Sequence, residues 1–279
     1  MTVRIVADTA CDLPDDVANE LGIVFVPLHV RFGTTELLDR EQLSTKEFWA
    51  RCAASPELPE TAAPSPGAFS AAFESLASAG ADGVVCVTLS SKLSATSEAA
   101  AQAARSIGSD FPVEVIDSFS VTMGEGFVAQ AAAEAAAAGA GMAEVVAVAN
   151  STRGRLSVFG AIDTLENLRK GGRIGGAAAL LGALLAIKPV IEVRDGAVEQ
   201  ESKQRTRAKS LRYMAEKVRS AGPLERLALM NADAVDFAGF VDLLADVPSA
   251  HPRVVGDIGP VIATHAGRGA IGVAWARKT

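Results

Sequence analysis

Gly83-Val-Val-Cys-Val-Thr-Leu89 is a stretch of seven residues without a charge, and more than half of them are β-branched. A strand with one wet face alternates polar and apolar positions, so an unbroken run of this kind is covered on both faces. Such a strand belongs in the middle of a parallel sheet with helices packed above and below. The surrounding sequence agrees. Residues 3–7 and 113–116 are shorter apolar runs with β-branched residues, and residues 23–32 read as extended up to a turn at Gly33. Helical stretches separate them. Asp12 is placed to cap a helix to about residue 21, with Pro14 tolerated in its first turn. Ser44-Thr-Lys-Glu47 is a capping box ahead of Phe48, and a loop rich in Pro, Ser and Glu covers residues 55–66. Ser65-Pro66 opens a helix to about residue 79, an alanine-rich helix follows the Ser90–Ser94 loop to about residue 107, and another runs to about residue 138, where Gly139 and Gly141 stop it.

The second half has a different grammar. Asp195-Gly196 stands between strands predicted over 189–193 and 198–202, a strong signal for a tight hairpin. Further strands are predicted over 156–162, 226–230, 254–257 and 271–275. Helices are predicted before Gly171-Gly172, over 177–186, over 206–221 and over 235–245. Hairpins mixed with helices predict an α+β domain with a mostly antiparallel sheet. The expected fold class is therefore α/β in an N-terminal parallel-sheet domain, residues 1–152, followed by an α+β domain, residues 153–279. Charge divides the same way: residues 1–150 hold 7 Lys and Arg against 20 Asp and Glu, and residues 151–279 hold 19 against 13. An acidic half joined to a basic half suggests two different jobs.

Several function classes are disfavoured at this stage. The chain is acidic overall, at −7, with two Trp and one Tyr, which leaves little for stacking on bases or neutralising phosphates. The longest apolar run, residues 177–187, falls short of a membrane span. The N-terminus places Asp8 early and has no apolar leader core, and Cys11, Cys52 and Cys86 are scattered without a C-x-x-C pair, so a reduced cytoplasm is the expected location. His29, His251 and His265 lack metal-ligand spacing, so no metal is expected. No Gly-Lys pair and no G-x-S-x-G occur. Gly124-Glu-Gly126-Phe-Val-Ala129 fits a dinucleotide fingerprint, but it starts too far beyond the preceding strand and carries a glutamate where a pyrophosphate would lie. Gly267-Arg-Gly269-Ala-Ile-Gly272 has no room for a following helix.

Three clusters carry chemistry. Ser90-Ser-Lys-Leu-Ser94-Ala-Thr96-Ser97 lies where a buried strand meets a helix N-terminus, the position at which open α/β sheets bind anionic groups. Thr61 is a hydroxyl in the loop before Pro64. Lys203, Arg205, Arg207, Lys209, Arg212, Lys217 and Arg219 form a basic segment, with Arg205, Lys209, Arg212 and Arg219 on one stripe and Leu211, Met214 and Val218 opposite.

These clusters occur in an order that resembles the DegV family along essentially the whole chain. The matching stretches are Asp8-Thr-Ala-Cys-Asp12-Leu-Pro14, the Thr61 loop, Ser90 to Thr96, Asp117-Ser118 with Gly124 and Gly126, and Thr164 to Ile174. Ile187-Lys-Pro189, Arg205-Thr206 and Gly259-Pro-Val-Ile-Ala-Thr-His265-Ala-Gly-Arg-Gly269 complete the set. The resemblance implies a fatty-acid-binding protein of lipid metabolism and transport with no cofactor. A long-chain acid such as palmitate or oleate would lie in a tunnel between the two domains. It implies that Thr61 and Ser94 hold the carboxylate and that His265 lies near it. It further implies presentation of the acid to an ATP-dependent fatty acid kinase, with Arg205 and His265 on the side of the partner and the phosphate. The chain departs from the family pattern at Ala62 and Ala63, at Ala95 in place of glycine, and at Arg268 in place of proline. Two other readings of the same residues are an acyl hydrolase with Ser94 as nucleophile and His265 as base, and a nicotinamide enzyme using Gly124 and Gly126.

Overall fold

The computed structural model describes residues 2–55, 57–183 and 187–279. The first half runs β1 (Val3–Asp8), α1 (Asp15–Leu21), β2 (Val24–Val26), β3 (His29–Phe32), β4 (Thr35–Leu38), α2 (Thr45–Ala54), β5 (Glu60–Ala62), α3 (Pro66–Ser78), β6 (Gly83–Thr88), α4 (Thr96–Ile107), β7 (Val113–Asp117), α5 (Met123–Ala137) and α6 (Met142–Arg153). The second half runs β8 (Leu156–Ala161), α7 (Glu166–Lys170), β9 (Lys188–Arg194), β10 (Ala197–Gln204), α8 (Arg207–Ser220), β11 (Leu224–Asn231), α9 (Phe237–Leu243), β12 (Val254–Asp257), α10 (Pro260–Ala266) and β13 (Ile271–Arg277). Strands β2-β1-β6-β7 form a four-stranded sheet in which every pairing is parallel. All six residues of β6 are buried, as its unbroken apolar run requires. Strands β10-β9-β8-β13-β11-β12 form a six-stranded sheet whose pairings are antiparallel except that of β11 with β12. Asp195 and Gly196 both take positive φ, 49° and 82°, which is what a two-residue hairpin between right-twisted strands needs.

Helix α5 lies between the two sheets, in contact with β1 and β6 on one side and β8, β11 and β13 on the other. That position explains its composition. It is buried almost all round, and its glycines permit close approach: a Cβ on Gly124 would strike Val158 and Ser120, and one on Gly126 would lie 2.8 Å from the Cys11 carbonyl. The apparent dinucleotide fingerprint is thus a helix-packing feature.

Four expectations need correction. Asp12 does not cap α1. It sits at φ 51°, and α1 begins only after Pro14, because a residue before proline is turned away from helical backbone. Residues 55–66 are not all loop, since β5 joins β3 and β4 in a small antiparallel sheet. Helices α6 and α10 were not anticipated, α6 because the glycines that end α5 are followed at once by a second helix. The helix expected over 177–186 is a 3-10 turn over Gly175–Ala183, and residues 184–186 lie outside the described residues.

Candidate functional site

The loops after β1, β6 and β7 gather at the C-terminal edge of the parallel sheet, where the six-stranded sheet and α10 close over them. Between them lies a cavity of about 100 Å3, lined by apolar side chains such as Leu28, Leu89, Val121, Ile191, Val198 and Val261. The polar side chains on this wall are Thr61, Ser94, Arg173 and His265.

Each arrives on a different element. Thr61 is the middle residue of β5, paired with Val30 of β3. Ser94 ends a tight turn in which the Leu93 and Ser94 amides both donate to the Ser90 carbonyl, at 3.0 and 3.1 Å. Its hydroxyl lies 2.8 Å from that of Thr96 and accepts the Thr96 N–H. The Ser90 hydroxyl donates to the Gly196 carbonyl at 2.6 Å, tying this turn to the β9–β10 hairpin. His265 is on α10, which starts at Gly259-Pro260 and stops at Gly267 with φ 81°. Proline at the first helical position and glycine past the end are a start and a stop signal that the sequence displayed.

The Thr61 Oγ1 and His265 Nε2 atoms are 2.8 Å apart, joining residues 204 positions apart in the chain. Burial first, and then the positive charge of Arg173, lower the His265 pKa to about 4, so the imidazole is neutral at pH 7. Its Nδ1 is buried with no hydrogen-bond partner and faces Gly171, which packs directly against the ring. Arg173 carries no role in the sequence reading. Its Nε donates to the Leu93 carbonyl at 2.9 Å and its Nη1 to the Gly171 carbonyl at 2.5 Å. Among the described residues no carboxylate pairs with it. A cation at an apolar cavity without a counter-ion is the feature that sequence alone could not supply, because its significance depends on neighbours brought in by the fold. Outside the Thr61–His265 pair, a polar depression walled by Glu57, Glu60, Asn167 and Lys170 leads to solvent.

The fold therefore brings Thr61, Ser94 and His265 to one cavity. It does not bring Arg205 there: Arg205 is exposed, just before α8. The basic segment divides. Arg207 is built into the structure, with Nε and Nη2 on Asp236 at 3.0 and 3.1 Å, while Lys217 pairs with Glu201 and Arg219 with Asp246. Ala95 takes φ −78° and ψ 6°, so its methyl group brings no backbone strain. Arg268 points to Asp233 at 2.6 Å, away from the cavity. No hydrogen bond joins Ser94 to His265 among the described residues, and no acid orients the ring. Among the described residues no helix is long and apolar enough to cross a membrane, and no group of three or more His, Cys, Asp or Glu is arranged to hold a metal ion.

A family model described as "Uncharacterised protein, DegV family" matches residues 2–278. The chain belongs to the DegV family. A DegV domain-containing protein of Mycobacterium tuberculosis is 38% identical over 278 residues, covering 98% of this chain and 96% of the relative. One of Streptomyces coelicolor is 37% identical over 275 residues, covering 97% of each. Among solved structures, a DegV family protein from Thermus thermophilus, described for its fatty acid binding, matches with a TM-score of 0.91 at 30% identity over the whole of both chains. DegV of Bacillus subtilis, described as a fatty acid binding protein, matches with a TM-score of 0.89 at 28% identity, again over the whole of both chains.

Proposed function

We propose that this DegV protein binds one long-chain fatty acid, of the palmitate or oleate class, with its acyl chain in the cavity and its carboxylate among Thr61, Ser94 and Arg173. The observation that carries this reading is the polar corner of an otherwise apolar cavity, where a guanidinium that pairs with no carboxylate among the described residues lies beside two hydroxyls. The related proteins of Thermus and Bacillus that bind fatty acids support it. Burying about fourteen methylenes contributes roughly 11 kcal/mol, from which ordering the chain removes several. A carboxylate taken out of water without partners would cancel that gain. Here a cation and hydroxyl donors replace the lost hydration.

The proton of His265 belongs on Nε2. An orphaned buried N–H is rarer and costlier than an acceptor left under-satisfied, so the unpartnered Nδ1 is the bare nitrogen. Nε2–H then donates to Thr61 Oγ1, which leaves the threonine hydroxyl proton free to donate to a carboxylate. The neutral ring orients Thr61 without adding a charge. With Ser94 engaged by Thr96 and no acid behind His265, the site holds an acid rather than hydrolysing an ester. We further assign the chain a carrier role in the cytoplasm. Residues 1–152 and 153–279 form the two domains around the ligand, and Arg205, exposed and without an ion pair among the described residues, faces an ATP-dependent fatty acid kinase.

Mass spectrometry of the denatured recombinant protein is expected to release close to one fatty acid per chain. Protein that carries none, and that ignores added oleate and palmitate after delipidation, overturns the reading.

A further inference from the structure

The motif Asp8-Thr9-Ala-Cys-Asp12 is absorbed by neither the cavity wall nor the carboxylate corner, yet its polar side chains are buried, at 0%, 2% and 4% exposure for Asp8, Thr9 and Asp12. Each accepts one backbone N–H from far along the chain. Asp8 Oδ2 accepts from Leu89 at 2.8 Å, the residue that leads from β6 into the Ser90–Ser94 turn. Thr9 Oγ1 accepts from Leu28 at 3.1 Å, the residue before β3, whose Val30 pairs with Thr61. Asp12 Oδ1 accepts from Gly259 at 3.0 Å, the residue that opens α10, six positions before His265. The three partners lead into the Ser94 turn, into the strand that pairs with Thr61, and into the helix that carries His265.

We infer that Asp8, Thr9 and Asp12 are positioning residues for the acid-binding corner, acting on the serine turn, on the strand that holds β5, and on α10. This rests on the function proposed above and deepens it. The segment is suited to the task. Thr9–Cys11 is one turn of 3-10 helix, and Asp8 Oδ1 also accepts the Ala10 N–H at 3.0 Å, which fixes its own rotamer. Asp12 is held at φ 51°, a conformation that Asp tolerates better than most residues. The N–H groups it captures have no acceptor in a ladder: Leu28 lies between two strands, and Gly259 stands where a helix has not yet begun. A buried ionisable acceptor is an expensive way to satisfy an amide. Using three side chains from five residues to do so fixes the spacing of three distant elements through one rigid turn.

Thr9→Val is close to isosteric and removes the hydroxyl, both the acceptor for the Leu28 N–H and the donor towards Asp39, and Thr9→Ser restores it. Asp12→Ala and Asp12→Asn form a second pair. Oleate affinity of delipidated protein is expected to fall about tenfold in Thr9→Val and Asp12→Ala. It should stay within about threefold in the two conservative variants, which keep the acceptor oxygen. The His265 imidazole resonances in ligand-free protein should move in Asp12→Ala and not in Asp12→Asn. Phe240→Leu, in the separate core behind the six-stranded sheet, supplies a control that loses stability without touching the corner. Thr9→Val and Asp12→Ala that bind oleate like the parent, or an unmoved His265 signal in Asp12→Ala, overturn the inference. Failure of the parent protein to bind oleate would instead strike the proposed ligand, and the His265 signal would still decide the positioning role.

Discussion

The packing of Gly171 on His265 can be turned into a quantitative test. Gly171 ends α7 at φ −74° and ψ −7°, a conformation open to any L residue, so alanine there brings no backbone strain. What its methyl group meets is the imidazole. A Cβ would lie 2.8 Å from His265 Cε1 and closer still to Nδ1, against ordinary contact distances of 3.4 Å and beyond. The ring has no slack on its other side, where Nε2 is already 2.8 Å from Thr61 Oγ1. It must therefore leave its rotamer or break that hydrogen bond. The first costs about 0.5–1.5 kcal/mol and the second about the same. Gly171→Ala should therefore weaken oleate binding about two- to twelvefold in a calorimetric titration of delipidated protein. In a His265→Ala background only the Asn167 carbonyl oxygen, 3.1 Å from that Cβ, stays close, so the same substitution should change affinity by less than about twofold. The cycle should show a coupling of about 0.5–1.5 kcal/mol. Unchanged binding by Gly171→Ala, or the full loss persisting without the histidine, refutes the clamp.

Thr61→Val and Ser94→Ala should each weaken oleate binding by about 1–3 kcal/mol, the loss of a hydrogen bond to a charged group, and equal affinities in both would remove them from the site. Burial pushes Asp8 and Asp12 up to about 7 and Asp39 up to about 6. In the unfolded chain these carboxyls lose their protons near pH 4, so between pH 4 and 7 the folded state holds more protons and stability falls as pH rises. His265, lowered to about 4 by burial and by Arg173, works in the opposite sense, but above pH 6.5 only about 0.4 kcal/mol of its contribution is still to come. Between pH 6.5 and 8 the carboxyls outweigh it, and chemical denaturation should show a loss of about 1–2 kcal/mol; a gain over that interval contradicts the assignment. Arg205→Glu should leave oleate affinity intact and impair acyl-phosphate formation by a fatty acid kinase supplied with the loaded protein. Undiminished phosphorylation would place the docking face elsewhere.

How far the fold could be read from the chain follows from where each element draws its stability. β6 was legible because a strand covered on both faces must be apolar throughout, and the β9–β10 turn because only a few residue pairs accept two successive positive φ values. β5 was not legible. It is three residues long, Glu-Thr-Ala, and is a strand only because β3 supplies its hydrogen bonds. Arg173 shows the same limit at the site. Its local sequence, Gly-Gly-Arg-Ile, differs little from any basic turn, and only the meeting of α7 with the serine loop leaves its charge facing an apolar cavity.

Asp12 is the most instructive error, because the wrong reading and the right one use the same chemistry. An aspartate ahead of a helical stretch satisfies amides that lack an acceptor, so it reads as a cap for the next helix in sequence. The proline two residues on forbids that role by turning Leu13 away from helical backbone. The carboxylate still takes an amide at a helix N-terminus, but the helix is α10, 247 residues away. Local pattern thus identified the interaction and missed the partner, which only the closure of the second half over the first supplies. The same holds for Thr61 and His265, each unremarkable within its own segment. The site is a property of the junction between the two sheets, and the polar residues that report it are those whose hydrogen bonds cross that junction.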